Sequence, residues 1–266
     1  MNIACIGSGN MGTALMKGAA VVVGGENICF TDVEADKAKS AAVALGAQVV
    51  PSNTEAVVRA DFVFLAVKPQ VLGAVLDEIA PTLKKKPTVL VSMAAGCTIS
   101  GIQERTCKEQ PVVRIMPNVP ALIGQGVIAL ALSPQVDERQ KADAAALLSQ
   151  SGIVELMDEK YFDAVTALSG SAPAFVSLFI EALADGGVKA GLARDKALKF
   201  AVQTVLGASA LLKETGKHPG ELKDMVTSPA GTTIVGVEAL EKGAFRGLVM
   251  GAVDAALRRA KELSAQ

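Results

Sequence analysis

The sequence has few aromatic residues and almost no histidine. Its 266 residues include no Trp, one Tyr and one His, and aromatic residues make up only 3%. Single-stranded nucleic acids are bound by stacking their bases on aromatic side chains, and duplexes are bound by strongly basic surfaces. The formal net charge is -1, so the chain lacks both features. We predict no nucleic-acid partner and a small-molecule ligand instead.

Cysteine is also scarce. Cys5, Cys29, Cys97 and Cys107 form no C-x-x-C pair, and with a single His they make no familiar zinc spacing. We therefore predict no metal site and reduced thiols that pack as small apolar residues. The first residues lack the basic region and cleavage site of a signal peptide, so we expect a cytoplasmic protein.

Long uninterrupted apolar runs are missing as well. Half of the residues are hydrophobic, but polar or helix-breaking residues such as Lys17, Pro120, Gln125, Glu181 and Asp185 interrupt the apolar stretches. A helix that spans a bilayer needs about 20 predominantly apolar residues in succession. We therefore predict no membrane-spanning segment and no membrane partner.

What is present is an alternation of apolar strands with amphipathic helices. Strands are predicted near residues 2–6, 27–31, 47–50, 62–67, 88–93, 112–116, 126–132 and 153–157, and helices near 11–23, 34–45, 72–83 and 137–149. This rhythm is typical of an α/β domain, in which helical crossovers connect the strands of a mostly parallel sheet.

After Met157 the strand pattern stops. From Tyr161 onward, apolar positions recur at helical spacing and are punctuated by Gly and Pro. We predict two domains, an α/β domain over residues 1–158 and an all-helical domain over 159–266. The segment Phe175–Leu183 is apolar almost all round, so we expect another subunit to cover it in an obligate dimer. A helix central to its own bundle is the alternative.

A glycine-rich segment follows the first strand and opens the first helix. Gly7-Ser8-Gly9-Asn10-Met11-Gly12 matches G-x-G-x-x-G in the context that predicts dinucleotide binding. Gly7 would permit the tight turn, Gly9 the approach of a pyrophosphate, and Gly12 the close packing of helix on strand. The helix N-terminus offers free N–H groups to the phosphates. The alternative is a glycine-rich turn without a ligand.

The second strand ends at Asp32, twenty residues beyond Gly12. An acidic residue at this position hydrogen-bonds the adenosine ribose hydroxyls and repels a 2′-phosphate. Val33 follows, and no Arg occurs before Lys37. The sequence therefore favours NADH over NADPH without excluding NADPH. Asp32 could instead cap the helix that begins near Glu34.

Later strands add small and polar residues at their carboxyl ends, where open α/β sheets bind ligands. Val67-Lys68-Pro69 follows the fourth strand, and Ala94-Ala95-Gly96 follows the fifth. The small side chains at 94–96 would admit a nicotinamide ribose. Lys68 could equally be an ordinary exposed loop residue.

Two segments of the helical part concentrate small and hydroxyl-bearing residues at the start of a helix. Residues 227–233 read Thr-Ser-Pro-Ala-Gly-Thr-Thr, and residues 168–175 read Leu-Ser-Gly-Ser-Ala-Pro-Ala-Phe. The first segment gathers hydroxyls and unpaired backbone N–H groups at a positive helix end, which suits a carboxylate. The alternative is that this segment simply starts a helix and binds no ligand.

With these motifs, the chain resembles pyrroline-5-carboxylate reductases over essentially its whole length. The matching segments are residues 6–12, 66–69, 94–96, 114–118, 167–175 and 224–241. The resemblance implies a doubly wound Rossmann domain, a helical dimerisation domain that forms a homodimer or an assembly of dimers, and NAD(P)H-dependent reduction of a cyclic imine to L-proline, the last step of proline biosynthesis.

The resemblance also implies roles for individual residues. The substrate carboxylate is expected at Ser228, Gly231 and Thr232, and the imine nitrogen near the hydroxyl of Thr233, the expected catalytic residue. Residues 68–69 and 94–96 are expected to line the nicotinamide end of the cofactor.

Two positions depart from the pattern of this family. Ala172 stands where S-G-S-G-P has its second glycine, and Ala230 stands where S-P-G-G has its first. Each adds one methyl group, which disturbs the pocket if the position needs a positive φ or a close backbone approach.

Two other functions remain open. Hydroxyacid dehydrogenases related to 6-phosphogluconate dehydrogenase share the two-domain plan, but they place a Lys in the long helix after the Rossmann domain, and Val165–Gly187 contains none. A cofactor-binding regulator without turnover would keep the dinucleotide site while its substrate receptor decayed. The intact segment at 228–233 argues against such a regulator.

Overall fold

The computed structural model describes residues 1–86 and 88–264, and the chain divides into two compact units. The first unit comprises Met1–Gly170 together with the chain from Leu257 onward, and the second comprises Ser171–Ala256. The last two positions of the predicted helical domain, 265 and 266, lie outside the described residues.

An eight-stranded sheet organises the described part of the first unit, in the order β3-β2-β1-β4-β5-β6-β7-β8. The strands are β1 (Ile3–Ile6), β2 (Ile28–Thr31), β3 (Gln48–Val49), β4 (Phe62–Leu65), β5 (Val89–Ser92), β6 (Val112–Pro117), β7 (Gly126–Leu132) and β8 (Gly152–Leu156). All neighbouring pairs are parallel except β6 with β7. The predicted doubly wound, mostly parallel sheet is therefore confirmed.

The antiparallel pair follows from a short connection. Residues 118–125 join β6 to β7 and contain only a 3-10 turn, Val119–Ile123. A parallel crossover takes a dozen or more residues, so a connection of this length returns the chain antiparallel.

Helices connect the remaining strands and build the second unit. They are α1 (Asn10–Val23), α2 (Ala35–Leu45), α3 (Asn53–Arg59), α4 (Pro69–Leu83), α5 (Ile99–Arg105), α6 (Glu138–Leu148), α7 (Phe162–Val165), α8 (Ala172–Lys189), α9 (Arg194–Thr215), α10 (Pro219–Met225), α11 (Thr232–Lys242) and α12 (Phe245–Ser264). α4 begins three residues before its predicted start, because Lys68 is its N-cap and Pro69 suits the first helical position.

Both faces of the sheet are covered. On one face, Cys5, Phe30 and Phe64 pack with residues of α1, α2 and α6, and on the other face Ile6 and Leu65 pack with residues of α3, α4 and α5. The inner strands are buried along their full length, which is why they read as continuous apolar runs rather than as alternating ones.

The four cysteines are free thiols, and they fall into two environments. Cys5 and Cys29 are buried on the neighbouring strands β1 and β2, whereas Cys97 and Cys107 are half-buried. Burial raises the pKa of the Cys5 thiol far above its ordinary value, and it raises the pKa of the Cys29 thiol to about 11. Burial therefore lowers the fraction of reactive thiolate at both strand cysteines at neutral pH.

The second unit, considered by itself, has little core. A small cluster forms where Ala184 of α8 meets Ala197 and Ala201 of α9. Many large apolar side chains of the second unit are exposed, namely Val176, Leu178, Phe200, Val202, Leu206, Val235, Leu248 and Met250. Apolar exposure on this scale is typical of a surface that another protein covers.

One helical stretch, Glu159–Lys189, is long and apolar enough to cross a membrane by length and composition alone. This differs from the prediction that no segment could do so, because Glu181 and Asp185 come late and leave residues 164–180 without a charged side chain. Core helices of water-soluble proteins meet the same criterion, so it does not by itself indicate a membrane.

Candidate active site

The glycine-rich loop between β1 and α1 has the shape of a phosphate cradle. Gly7 adopts a φ of 96°, and a Cβ there would lie 2.7 Å from the carbonyl oxygen of Ala66. A Cβ on Gly12 would lie 2.7 Å from the Cβ of Ala66, so α1 packs directly against the segment that follows β4. A Cβ on Gly9, in contrast, would meet no described atom within 4 Å. The backbone at Gly9 is therefore open to a ligand.

The start of α1 supplies donors to that open space. Gly9 is the N-cap and provides no side-chain hydrogen bond, which leaves the first N–H groups of the helix available. A cleft of about 980 Å³ begins here, lined by Ser8, Gly9 and Asn10 and by residues of α1 and α2, including Lys17 and Lys37. These features fit the pyrophosphate and adenosine half of a dinucleotide.

Asp32 is hydrogen-bonded to the glycine-rich loop. Its Oδ2 accepts the backbone N–H and the hydroxyl of Ser8, each at 2.7 Å, and its Oδ1 accepts the N–H of Glu34 at 2.9 Å. Burial alone raises the pKa of Asp32, but these hydrogen bonds and the charge of Lys37 outweigh it, so the pKa lies below its ordinary value. Asp32 is thus an ionised group at the edge of the cradle, and Glu34 rather than Asp32 is the N-cap of α2.

The segments that follow β4 and β5 lie at the same edge of the sheet, because these strands are parallel neighbours. Val67 contacts the loop: a Cβ on Gly7 would lie 3.2 Å from its Cγ1. Lys68 is exposed at the start of α4. Ala94 is buried in the core, whereas Ala95 is exposed and Gly96 has a φ of 77°.

Asn118 is a residue whose role no local sequence pattern reveals. It is 8% exposed and follows β6. Its side-chain amide donates to the hydroxyl and the carbonyl of Ser169, at 3.0 and 3.2 Å, and its Oδ1 accepts the N–H of Val127 at 2.9 Å. Asn118 therefore fixes the π-helical turn Thr166–Gly170, which immediately precedes α8.

In the second unit, the segment before α11 forms an uncapped helix start. Gly231 is the N-cap and, lacking a side chain, makes no capping hydrogen bond. Its N–H donates to the carbonyl of Ser228 at 3.1 Å, and a Cβ on Gly231 would lie only 2.2 Å from the Ser228 Oγ. Within the described part of the chain, the hydroxyls of Ser228, Thr232 and Thr233 have no hydrogen-bond partner, and Thr233 is half-buried.

The two alanine departures have different outcomes. Ala230 has a φ of 57°, in the left-handed region that favours glycine, so its methyl group strains the turn before α11. Ala172 is the first residue of α8 and has no positive φ. Only the first departure therefore imposes a backbone cost.

Titratable clusters play no visible part in the site. Across residues 1–86 and 88–264, no group of three or more His, Cys, Asp or Glu is placed to hold a metal ion. The one histidine, His218, caps α10, where its Nδ1 accepts the N–H of Gly220 at 3.1 Å. The first unit instead presents an open glycine-rich loop, and the second unit, considered by itself, presents a hydroxyl-rich helix start.

A mostly parallel, doubly wound sheet with an uncapped G-x-G-x-x-G helix start defines a dinucleotide-dependent oxidoreductase with a Rossmann domain. Family models agree: "NADP oxidoreductase coenzyme F420-dependent" matches residues 2–96, and "Pyrroline-5-carboxylate reductase dimerisation" matches residues 159–263. Pyrroline-5-carboxylate reductase of Glycine max is 46% identical over 262 residues, which cover 97% of this chain and 94% of that protein. The chain belongs to the pyrroline-5-carboxylate reductase family.

Solved structures of the family have the same fold. A pyrroline-5-carboxylate reductase from Coxiella burnetii superposes with a TM-score of 0.93 at 34% identity, covering 98% of both chains. Pyrroline carboxylate reductase from Plasmodium falciparum, with NADP bound, has a TM-score of 0.86 at 33% identity and covers 99% of this chain and 98% of its own. The chain is therefore an NAD(P)H-dependent reductase that self-associates through its helical region. The hydroxyacid dehydrogenase and regulator alternatives are not favoured.

Proposed function

We propose that this chain reduces 1-pyrroline-5-carboxylate to L-proline and that it uses NADH in preference to NADPH. The observation that carries the substrate assignment is the start of α11, where free hydroxyls and unpaired N–H groups converge. A helix start of this kind accepts a carboxylate. The substrate carries a carboxylate and a C=N group on one small ring.

Each of the substrate-binding residues at the start of α11 then has one role. Ser228, Gly231 and Thr232 hold the carboxylate, and the hydroxyl of Thr233 bonds the ring nitrogen and orients the C=N carbon. The bound cofactor supplies the hydride for that carbon. Because the nitrogen is already protonated in the reactive substrate, the chain needs positioning and a neutral hydrogen-bond partner more than a strong acid.

The cofactor is proposed to bind along the carboxyl edge of the sheet. Residues 7–12 (Gly7, Ser8, Gly9, Asn10, Met11 and Gly12) receive the pyrophosphate, and Asp32 receives the adenosine ribose. Residues 67–69 and 94–96 line the nicotinamide end, with Ala94 contributing its backbone. The fit of residues 7–12 rests on the open space at Gly9 and the uncapped start of α1.

The preference for NADH rests on charge. Asp32 keeps its carboxylate ionised at neutral pH, because its pKa lies below the ordinary value. Val33 is fully exposed and provides no donor for a phosphate. A 2′-phosphate would therefore meet a negative charge without a cationic partner at residue 33, whereas ribose hydroxyls can donate to Asp32.

Self-association is proposed to take the form of a homodimer or an assembly of dimers in the cytoplasm. Supporting this, the dimerisation model covers residues 159–263, a range that begins where the predicted helical domain begins. A second copy, rather than a lipid surface, would cover the apolar faces of α8, α9 and α12. No metal or nucleic acid enters this proposal.

The test is a cofactor-oxidation assay with 1-pyrroline-5-carboxylate, with NADH and NADPH run in parallel. We expect turnover with both cofactors and a higher kcat/KM with NADH. A 2-hydroxy acid with NAD+ serves as the comparison, and we expect no turnover. Absence of imine reduction would refute the proposed reaction, and a higher kcat/KM with NADPH would refute only the cofactor preference.

A further inference from the structure

The last turn of α12 lies against the loop that follows β5, within the first unit. A Cβ on Gly96 would lie 3.3 Å from the carbonyl oxygen of Leu263 and 3.7 Å from the Cα of Ser264. The hydroxyl of Ser264 donates to Oδ1 of Asp163 at 2.8 Å, across 101 positions of sequence. We call these four residues, Gly96, Asp163, Leu263 and Ser264, the α12 clasp.

The loop itself has weak internal support. Its N–H groups at Ala94 and Cys97 donate to the Ser92 hydroxyl at 3.5 Å and to the Ala94 carbonyl at 3.4 Å, both at the long limit of hydrogen bonding. Ala95 is exposed. A loop held this loosely by its own bonds depends on neighbouring elements for a fixed conformation.

Glycine at position 96 suits this contact in two ways. Its φ of 77° lies in the left-handed region, where a side chain is disfavoured. The missing side chain also lets the backbone of Leu263 approach the loop closely. The loop conformation and the end of α12 are thus fitted to each other.

We propose that Ser264 and Asp163 are positioning residues that hold residues 94–96 in the conformation that receives the nicotinamide end of the cofactor. The Ser264–Asp163 hydrogen bond anchors the last turn of α12 beside α7, and that turn backs the loop at Gly96. This inference rests on the proposed place of residues 94–96 in the cofactor site.

The experiment compares Ser264→Ala and Asp163→Ala with the wild type by hydrogen exchange and by calorimetric binding of NADH. We expect amide exchange in residues 94–98 to accelerate and the Kd for NADH to rise by about 3- to 10-fold, the effect of one lost hydrogen bond. The KM for NADH should rise correspondingly, with the KM for 1-pyrroline-5-carboxylate nearly unchanged.

Two conservative variants and one control complete the design. Ser264→Thr and Asp163→Asn keep a donor and an acceptor, so both should retain wild-type exchange and binding. Ser149→Ala removes another serine hydroxyl at the end of a helix, one that donates to the carbonyl of Ala146 at 2.8 Å, and it should change neither readout.

The outcomes separate the clasp from the proposed function. Unchanged exchange at 94–98 in both alanine variants would overturn the clasp, whatever the activity of the enzyme. Faster exchange with unchanged NADH affinity would overturn its positioning role. Failure of the wild type to bind NADH would instead count against the proposed cofactor, while the exchange result would still decide whether the clasp holds the loop.

Discussion

Arg114 places its guanidinium 2.8 Å from Oε1 of Glu159, and the same carboxylate oxygen accepts the N–H of Ile99 at 2.8 Å. The Arg114 side chain is only 8% exposed, and its guanidinium lies 4.7 Å from the centre of the Phe162 ring. One carboxylate therefore ties β6 to the start of α5, the helix that follows the loop after β5.

Removing that carboxylate should destabilise the protein. Glu159→Ala leaves a buried guanidinium and a backbone N–H without their acceptor, so the free energy of unfolding should fall by about 1 to 3 kcal/mol. The figure is below that of a fully buried pair because the Glu159 side chain is 28% exposed. Urea unfolding followed by circular dichroism measures it. Glu238→Ala, which removes an exposed pair with Lys242, should cost under about 0.5 kcal/mol; equal losses would contradict the prediction.

Ala230→Gly should stabilise the turn before α11. A non-glycine residue in the left-handed region destabilises the folded protein by about 1 to 2 kcal/mol, and Ala230→Gly removes this strain. Glycine also gives the unfolded chain more conformational freedom, which lowers the free energy of unfolding by about 0.4 to 1 kcal/mol. We expect a net gain of about 0.5 to 1 kcal/mol in urea unfolding, from the same two terms. Ala172→Gly, in α8, should be neutral or destabilising. A loss of stability in Ala230→Gly would show that its strain is relieved elsewhere.

The cofactor preference should change when charge at the end of β2 is altered. Asp32→Ser with Val33→Arg removes the repulsion and adds a bidentate phosphate partner, worth about 1 to 3 kcal/mol towards NADPH. The ratio of kcat/KM for the two cofactors measures it. Val43→Arg adds the same charge at an exposed position of α2 that is 84% accessible and should leave the ratio unchanged. No shift in the double variant would mean that Asp32 does not face the ribose.

Thr233 should matter for catalysis and Ser228 for binding. Thr233→Val removes one neutral hydrogen bond to the ring nitrogen, so kcat/KM for the imine should fall roughly 10- to 100-fold. Ser228→Ala should raise KM more than it lowers kcat, because a carboxylate contact persists from substrate to transition state.

Thr227→Val is the matched control for Thr233→Val. The hydroxyl of Thr227 donates to the carbonyl of Lys223 at 2.6 Å, so its removal should leave kcat/KM within a few-fold of the wild type. An unchanged kcat/KM in Thr233→Val, with normal circular dichroism, would reduce the Thr233 hydroxyl to a bystander at the helix start.

Self-association should depend on the exposed face of α8. Leu178 is 66% exposed, and Leu178→Glu places a charge on this mostly exposed position of α8. Sedimentation velocity should show a shift towards monomer with loss of activity. Phe179→Glu is less informative because Phe179 contacts Phe245 within the chain, at 5.8 Å between ring centres. Val43→Glu, in the first unit, should leave the assembly intact; an assembled Leu178→Glu enzyme would exclude this face.

The sequence predicts the inner strands well because burial on both faces makes them continuous apolar runs. It gives no bounds for α3 and α5, because these helices are seven residues each and too short to show a helical period. Their caps were nevertheless readable: Ser52 accepts the N–H of Glu55, and Thr98 accepts the N–H of Gly101. Capping residues are therefore better evidence for such short helices than periodicity.

The features of the candidate site also fall into those that a local sequence pattern predicts and those that it does not. The glycine-rich loop is readable because its requirements are local, with a positive φ at Gly7 and close packing at Gly12. The hydrogen bonds from Ser8 to Asp32 and from Asn118 to Ser169 span 24 and 51 positions. Contacts of that range depend on how strands and helices meet, which no local pattern records.

The complete burial of the Cys5 thiol on β1 makes this thiol a chemical probe of local opening in the first unit. A thiol-directed reagent should modify half-buried Cys107 while the enzyme is folded, but it can modify Cys5, which is 0% exposed, only after the helices packed on β1 have moved away. The slow phase of such labelling would therefore time this local opening at the cradle, and added cofactor should lengthen it.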